Sequence, residues 1–152
     1  MNYIIDGYNL IGKISKISFQ DSQKEEKLIS FLKARLQNDK DFFHIIFDNK
    51  KHLDILGDTY SEPQFLIKFP PSDQSADDYI IEYLPKIKKQ THYTIVSSDR
   101  EIINKAKEYQ VKTLKSEEFL KHYRPGNTNN DQEKKDYQLN DYEFQYWLEK
   151  FS

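Results

Sequence analysis

Tyr3-Ile4-Ile5-Asp6-Gly7-Tyr8-Asn9-Leu10-Ile11 is an apolar run that breaks off at an Asp, a Gly and an Asn. Such a run reads as a buried strand that carries a carboxylate to its carboxyl end, where the chain must turn sharply. Open α/β sheets keep their ligand sites at that edge. The fold therefore turns on whether later strands deliver carboxylates in the same way.

Outward from this stretch the pattern repeats. Ser22-x-x-Glu25 has the form of a capping box, and Leu28, Ile29, Phe31, Leu32 and Leu36 recur at helical spacing, which predicts a helix over about residues 22–38. Phe42-Phe43-His44-Ile45-Ile46-Phe47 is a second short β-favouring run, and Asp48-Asn49 follows it. Residues 50–63, polar with Gly57 and Pro63, predict a loop or a short irregular helix. Phe65-Leu66-Ile67-Lys68-Phe69 is a third strand, stopped by Pro70-Pro71 because proline lacks the ladder N–H.

Ser75-Ala76-Asp77-Asp78 then opens a helix with Ser75 as N-cap, continued by Ile80, Ile81 and Leu84 as far as Pro85. Tyr93-Thr94-Ile95-Val96 is a fourth strand running into Ser97-Ser98-Asp99-Arg100-Glu101, where Ser98-x-x-Glu101 forms a second capping box. Val111-Lys112-Thr113-Leu114 is a fifth strand, with a helix from near Ser116. This alternation argues for an α/β protein with a parallel, doubly wound sheet, right-handed crossovers and helices on both faces, for which 3-2-1-4-5 is a common strand order.

Residues 1–123 form one expected domain, with 124–138, rich in Asn, Gly and charge, as a flexible connector. In the last segment, 139–152, Asn140 and Glu143 suit a capping box, and Phe144, Trp147, Leu148 and Phe151 make an apolar stripe. That stripe is expected to dock on the same domain, with a partner protein's groove as its other use.

No stretch approaches the ~18 consecutive apolar residues of a membrane span, and the amino terminus has no signal-peptide pattern, so a cytoplasmic protein with no membrane partner is expected. Zero Cys excludes disulfides, cysteine zinc sites and a thiol nucleophile. The net charge of −2 argues against nonspecific coating of nucleic acid, but it is uneven. Residues 1–85 hold 10 Lys+Arg against 14 Asp+Glu, residues 86–124 hold 10 against 5, and residues 125–152 hold 3 against 6. A basic segment between acidic ones fits a polyanion approaching from one side, as well as an ordinary solvated surface.

In the order 3-2-1-4-5, Asp6, Asp48 and Asp99 follow strands one, two and four, while Asp77 and Asp78 open the helix after strand three. All fall at one edge. Such a cluster repels itself unless cations or protons compensate it, and oxygen ligands without Cys or paired His point to Mg²⁺ or Mn²⁺. Asn9 could add a neutral ligand or orient a metal-bound water. Phosphodiester hydrolysis suits this set, since cations activate water and neutralise charge on the phosphate without a covalent nucleophile. Taken singly, each aspartate also has an ordinary use in a cap or turn. His44, His52, His92 and His122 show no metal-ligand spacing and read as structural or surface residues. Gly7-Tyr8-Asn9-Leu10-Ile11-Gly12-Lys13 matches a phosphate-binding loop in all but its last position, where Ile14 offers no hydroxyl.

Ile5-Asp6-Gly7-Tyr8-Asn9, Ile46-Phe47-Asp48, Ser75-Ala76-Asp77-Asp78 and Ser97-Ser98-Asp99, in this order and spacing, resemble the NYN domains. The likeness is to the YacP-like branch of the PIN-like nucleases, and residues 139–151 look like that branch's terminal helix. The resemblance implies a three-layer α/β/α PIN-like fold with a mostly parallel central sheet of order 3-2-1-4-5, divalent-metal dependence and endoribonuclease activity. It also implies Asp6, Asn9, Asp48, Asp77 and Asp99 as the acidic-site positions, with Asp78 a further acidic position. RNA, single-stranded, is the expected partner, free or presented by a ribosome or other RNA assembly. Tyr8 could stack on a splayed base, and Arg100, Lys105, Lys86, Lys88 and Lys89 are the candidate phosphate contacts. The alternatives are a PIN-like module, weak in catalysis, that binds RNA or a partner without cutting, and a nucleotide-binding protein that uses the imperfect phosphate loop Gly7–Lys13.

Overall fold

The computed structural model describes residues 1–35, 39–48 and 58–123. The expected connector and terminal helix lie outside these residues. Along the chain come β1 (Asn2–Asp6), α1 (Gly7–Ile11), α2 (Lys24–Ala34), β2 (Phe42–Ile46), β3 (Asp58–Glu62), β4 (Phe65–Phe69), α3 (Ala76–Tyr83), β5 (Tyr93–Val96), α4 (Arg100–Glu108), β6 (Lys112–Leu114) and α5 (Ser116–His122). A single 3₁₀ turn, Leu84–Lys86, carries α3 past Pro85.

The sheet runs β3-β4-β2-β1-β5-β6, with β1 at the centre between β2 and β5. Its five parallel strands stand in the expected order. The sixth, β3, is a correction, because an antiparallel edge strand occupies residues 58–62 where a loop or irregular helix was expected. It folds back on β4 through Pro63-Gln64, with Gln64 in the left-handed region at φ 69°. Gln64 is held there by donating from its side chain to the Asp41 carbonyl at 2.9 Å. Tyr60 is the one large apolar side chain of the Thr59-Tyr60-Ser61 core, so β3 has no apolar run to announce it.

Alternation along the strands builds two cores. Tyr3, Ile5, Phe43, Ile45, Phe47, Phe65, Ile67 and Val96 pack on one face against Leu10 and Ile11 of α1, Leu28, Ile29 and Leu32 of α2, and Phe119 of α5. Ile4, Ile46 and Ile95 pack on the other against Ile80 of α3 and Ile102 and Ala106 of α4. Each face of a parallel sheet must be covered in this way, because crossover helices return over it. On the first face Phe43 stacks between Tyr3 at 5.5 Å and Phe65 at 5.3 Å, with Tyr123 edge-on at 5.3 Å.

Two helix starts differ from expectation. α2 is capped at Gln23 rather than Ser22, and its entry is braced by Asp21, which accepts from the Gln23 N–H at 2.9 Å and pairs with Lys27. Glu25, the other half of the expected box, is turned inward to Tyr8 instead. α4 is capped by Asp99, not Ser98: Asp99 Oδ1 accepts from the Ile102 N–H at 3.1 Å. α3 starts as expected, with Ser75 Oγ accepting from the Asp78 N–H at 3.0 Å. No helix among the described residues is long and apolar enough to cross a membrane.

Candidate active site

Parallel register fixes where the carboxylates go. Asp6 is the last residue of β1, paired with Ile46 of β2, and Ile5 is paired with Val96 of β5. Asp48 lies two residues past that rung and Asp99 three residues past Val96, while Asp77 and Asp78 stand in the first turn of α3 after β4. These residues thus share the carboxyl edge of the central strands.

Asp6 is the most enclosed of them, only 7% exposed. Burial pushes its carboxyl up to about 7. The Asp77 charge adds to the rise and Asp99 contributes more weakly, whereas the Ser97 hydroxyl and the Asn9 backbone amide oppose it. Ser97 Oγ donates to Asp6 Oδ2 at 3.3 Å and accepts from the Asp99 N–H at 3.1 Å, so one hydroxyl links two of the aspartates. Asp77, half-buried, is raised by desolvation and then by Asp99, Glu101, Asp78 and Asp48. Asp77 therefore feels Asp99, Asp78 and Asp48, and Glu101, read from sequence as a capping residue, joins them electrostatically.

Ser97 and Ser116 are the site residues that sequence reasoning missed. Ser97 lies inside the Ser97-Ser98-Asp99 motif, but nothing in that motif marks its hydroxyl as the Asp6 partner. Ser116 contacts Asn9 across 107 residues of chain, with no local signal at all.

Tyr8 Oη donates to Glu25 Oε1 at 2.8 Å, its ring lies 5.1 Å from Phe47, and burial pushes its phenol up. Of the expected phosphate contacts, Arg100 opens α4 beside Asp99 at the carboxyl edge, and Lys105 is exposed farther along α4, paired with Glu108 at 3.4 Å. Lys86, Lys88 and Lys89 lie between the end of α3 and the start of β5, at the opposite, amino edge of the sheet. The segment weighed as a phosphate loop is a packed helix with Leu10, Ile11 and Ile14 buried, and Lys13 pairs with Glu117 at 3.4 Å. His44 is buried against Tyr79 and Tyr83, and desolvation, with Lys68, pushes it down to about 4. His92 and His122 are exposed, and His52 is outside the described residues.

Among the described residues no three His, Asp or Glu side chains stand in an arrangement that could hold a metal ion as they are. The donor chemistry still fits a hard cation, since the side chains gathered at this edge offer oxygen, and Asp6 and Asp77 are raised by burial first and then by neighbouring carboxylates, whose repulsion a cation would relieve.

A three-layer α/β/α body with acidic residues gathered at the carboxyl edge of its central strands is the class defined by these features. Residues 3–150 match the YacP-like NYN domain, and the chain belongs to that family, which is of the nuclease type. It is similar in fold to the crystal structure of Rae1 (YacP) from Bacillus subtilis, with a TM-score of 0.61 at 15% identity over 89% of this chain and 76% of that one. A tryptophan-to-leucine mutant of the same protein gives 0.60 at 16% identity, over 89% and 77%. No curated protein sequence matches the chain.

Proposed function

We propose that this protein is a divalent-metal-dependent endoribonuclease that hydrolyses phosphodiester bonds of single-stranded RNA at the carboxyl edge of β1. The observation that carries this reading is the buried Asp6, whose carboxyl bears the charges of Asp77 and Asp99 brought from two other strand-to-helix junctions. Nuclease-type family membership supports it.

Asp6, Asp48, Asp77, Asp78 and Asp99 are the residues assigned to hold Mg²⁺ or Mn²⁺. When bound, the cation would activate water and neutralise charge developing on the phosphate and leaving oxygen. The chain's own residues supply the framework. Ser97 fixes the Asp6 carboxyl, the α4 cap orients Asp99 through Oδ1, and the Ser75 cap sets the turn that carries Asp77 and Asp78. Arg100, at the same edge, is the residue assigned to meet the RNA backbone.

Labelled single-stranded RNA incubated with Mn²⁺ or Mg²⁺ should be cut internally, and chelator should stop the cutting. Asp6→Asn should lower the rate by at least about 100-fold, the order expected for losing a group the transition state needs. The same change should raise stability by about 1 kcal/mol at pH 8, because it removes a buried, repelled charge. Cutting that survives both chelator and Asp6→Asn would overturn the mechanism, and RNA binding without cutting in any metal would identify a binding module.

A further inference from the structure

The side-chain amide of Asn9 has one possible orientation. Its Oδ1 accepts from the Ser98 backbone N–H at 2.9 Å and from the Ser116 hydroxyl at 2.7 Å. A backbone N–H can only donate, so the atom facing it is the amide oxygen and not the nitrogen. Two donors occupy the two lone pairs of that oxygen, which leaves it no capacity to ligate a cation. The NH₂ end has no hydrogen-bond partner among the described residues. Asn9 stands directly beside Asp6, whose carboxyl its backbone amide bears on.

Ser116 is fully buried at the start of α5, although its partners Asn9 and Ser98 are half-buried. Its backbone N–H donates to Ser98 Oγ at 3.1 Å, and Ser98 Oγ in turn donates to Glu117 Oε1 at 2.9 Å. With the Asn9 contacts, this closes a ring that joins the β1–α1, β5–α4 and β6–α5 junctions. The β5–α4 turn held by that ring also carries Ser97 and Asp99, the two groups linked to Asp6.

We propose that Ser116 is a positioning residue of the acidic site. Its hydroxyl holds the Asn9 amide so that the NH₂ faces the crevice as a donor to a phosphate oxygen, and its backbone ties down the turn bearing Ser97 and Asp99. This assigns Asn9 to the substrate rather than to the metal, and it rests on the endoribonuclease reading above. A hydrogen-bond donor serves a phosphate oxygen and cannot serve a cation, so the two roles are exclusive.

The test is a double-mutant cycle on the full chain, with steady-state cleavage of a single-stranded RNA in Mn²⁺ and a melting curve for each variant. Ser116→Ala should lower kcat about tenfold with KM within about twofold, and Asn9→Ala should lower kcat about 100-fold. In the Asn9→Ala background Ser116→Ala should cost nothing more, since the group it positions is gone. Losses that multiply, or a lower Tm with kcat unchanged, would overturn the assignment. If the wild-type chain cuts no RNA, the nuclease reading falls on its own. The ring is then decided by NMR of the ¹⁵N-labelled Asn9 side-chain amide: Ser116→Ala should shift that resonance pair, and an unmoved pair would overturn the positioning role.

Discussion

Gly7 shows how tightly a single residue is drawn into the site. A Cβ placed on it would lie 2.4 Å from the Phe47 ring, which is itself fully buried and stacked on Phe69 at 5.4 Å. The ring cannot swing aside as the end of a flexible chain would. Gly7→Ala should therefore destabilise the fold by about 2–3 kcal/mol, the cost of overpacking a filled core, and a urea titration would register it. The glycine after Asp6 is thus required by packing, and the turn itself uses no left-handed backbone there. From sequence the residue signalled only a sharp turn, because the position of Phe47 is a tertiary fact. The place of Asp6 was legible for the opposite reason: a carboxylate closing an apolar strand is a local pattern.

At the scale of elements, helix starts separate local from long-range control. Ser22 makes no cap on α2, whereas Asp21 braces the first turn through the Gln23 N–H and Lys27. Ser22→Ala should leave Tm unchanged within about 0.5 kcal/mol of stability, while Asp21→Ala should cost about 1 kcal/mol, typical of a lost helix-end acceptor. Equal effects would restore Ser22 as the cap. The Ser75 cap of α3 was readable because its partner, the Asp78 N–H, is local. The two capping boxes failed because Glu25 and Ser98 are claimed by distant groups, Tyr8 and Ser116. Edge strand β3 escaped notice because a Pro-Gln turn and a single buried-side Tyr carry almost no hairpin signature.

Across the whole molecule, two buried titrating groups oppose one another. Glu26, 4% exposed and with Oε2 unpaired among the described residues, is pushed up from 4.5 to about 7 by burial first. A raised carboxyl favours the fold below its unfolded value, and that contribution is lost as pH rises through about 7. His44, lowered from 6.5 to about 4, does the reverse: its contribution is present above 6.5 and is lost as pH falls through about 4. Glu26→Gln should remove only the first effect. Its gain over wild type should grow from near zero at about pH 4 to roughly 2–3 kcal/mol at pH 8 in urea unfolding. A pH-independent difference would refute this account. The placement of the basic residues gives a second global expectation. Arg100→Glu at the carboxyl edge should weaken RNA binding about tenfold, whereas changing Lys88 and Lys89 to Glu at the amino edge should alter it less than about twofold at moderate salt.

Sequence pattern was enough for the α/β class, helices on both faces and the strand-end aspartates, all of which follow from short-range periodicity. The order of the five parallel strands follows from the doubly wound pattern and the family resemblance, and parallel topology then carries every strand end to one edge. Tertiary structure alone decided which oxygen meets which distant donor. It brought Ser97 to Asp6 and Ser116 to Asn9, turned Glu25 inward to Tyr8 and drew Ser98 to Ser116 instead of the α4 cap. Contacts between residues some 90 to 107 positions apart leave no local pattern to read, because they form only once the sheet has set the junctions side by side.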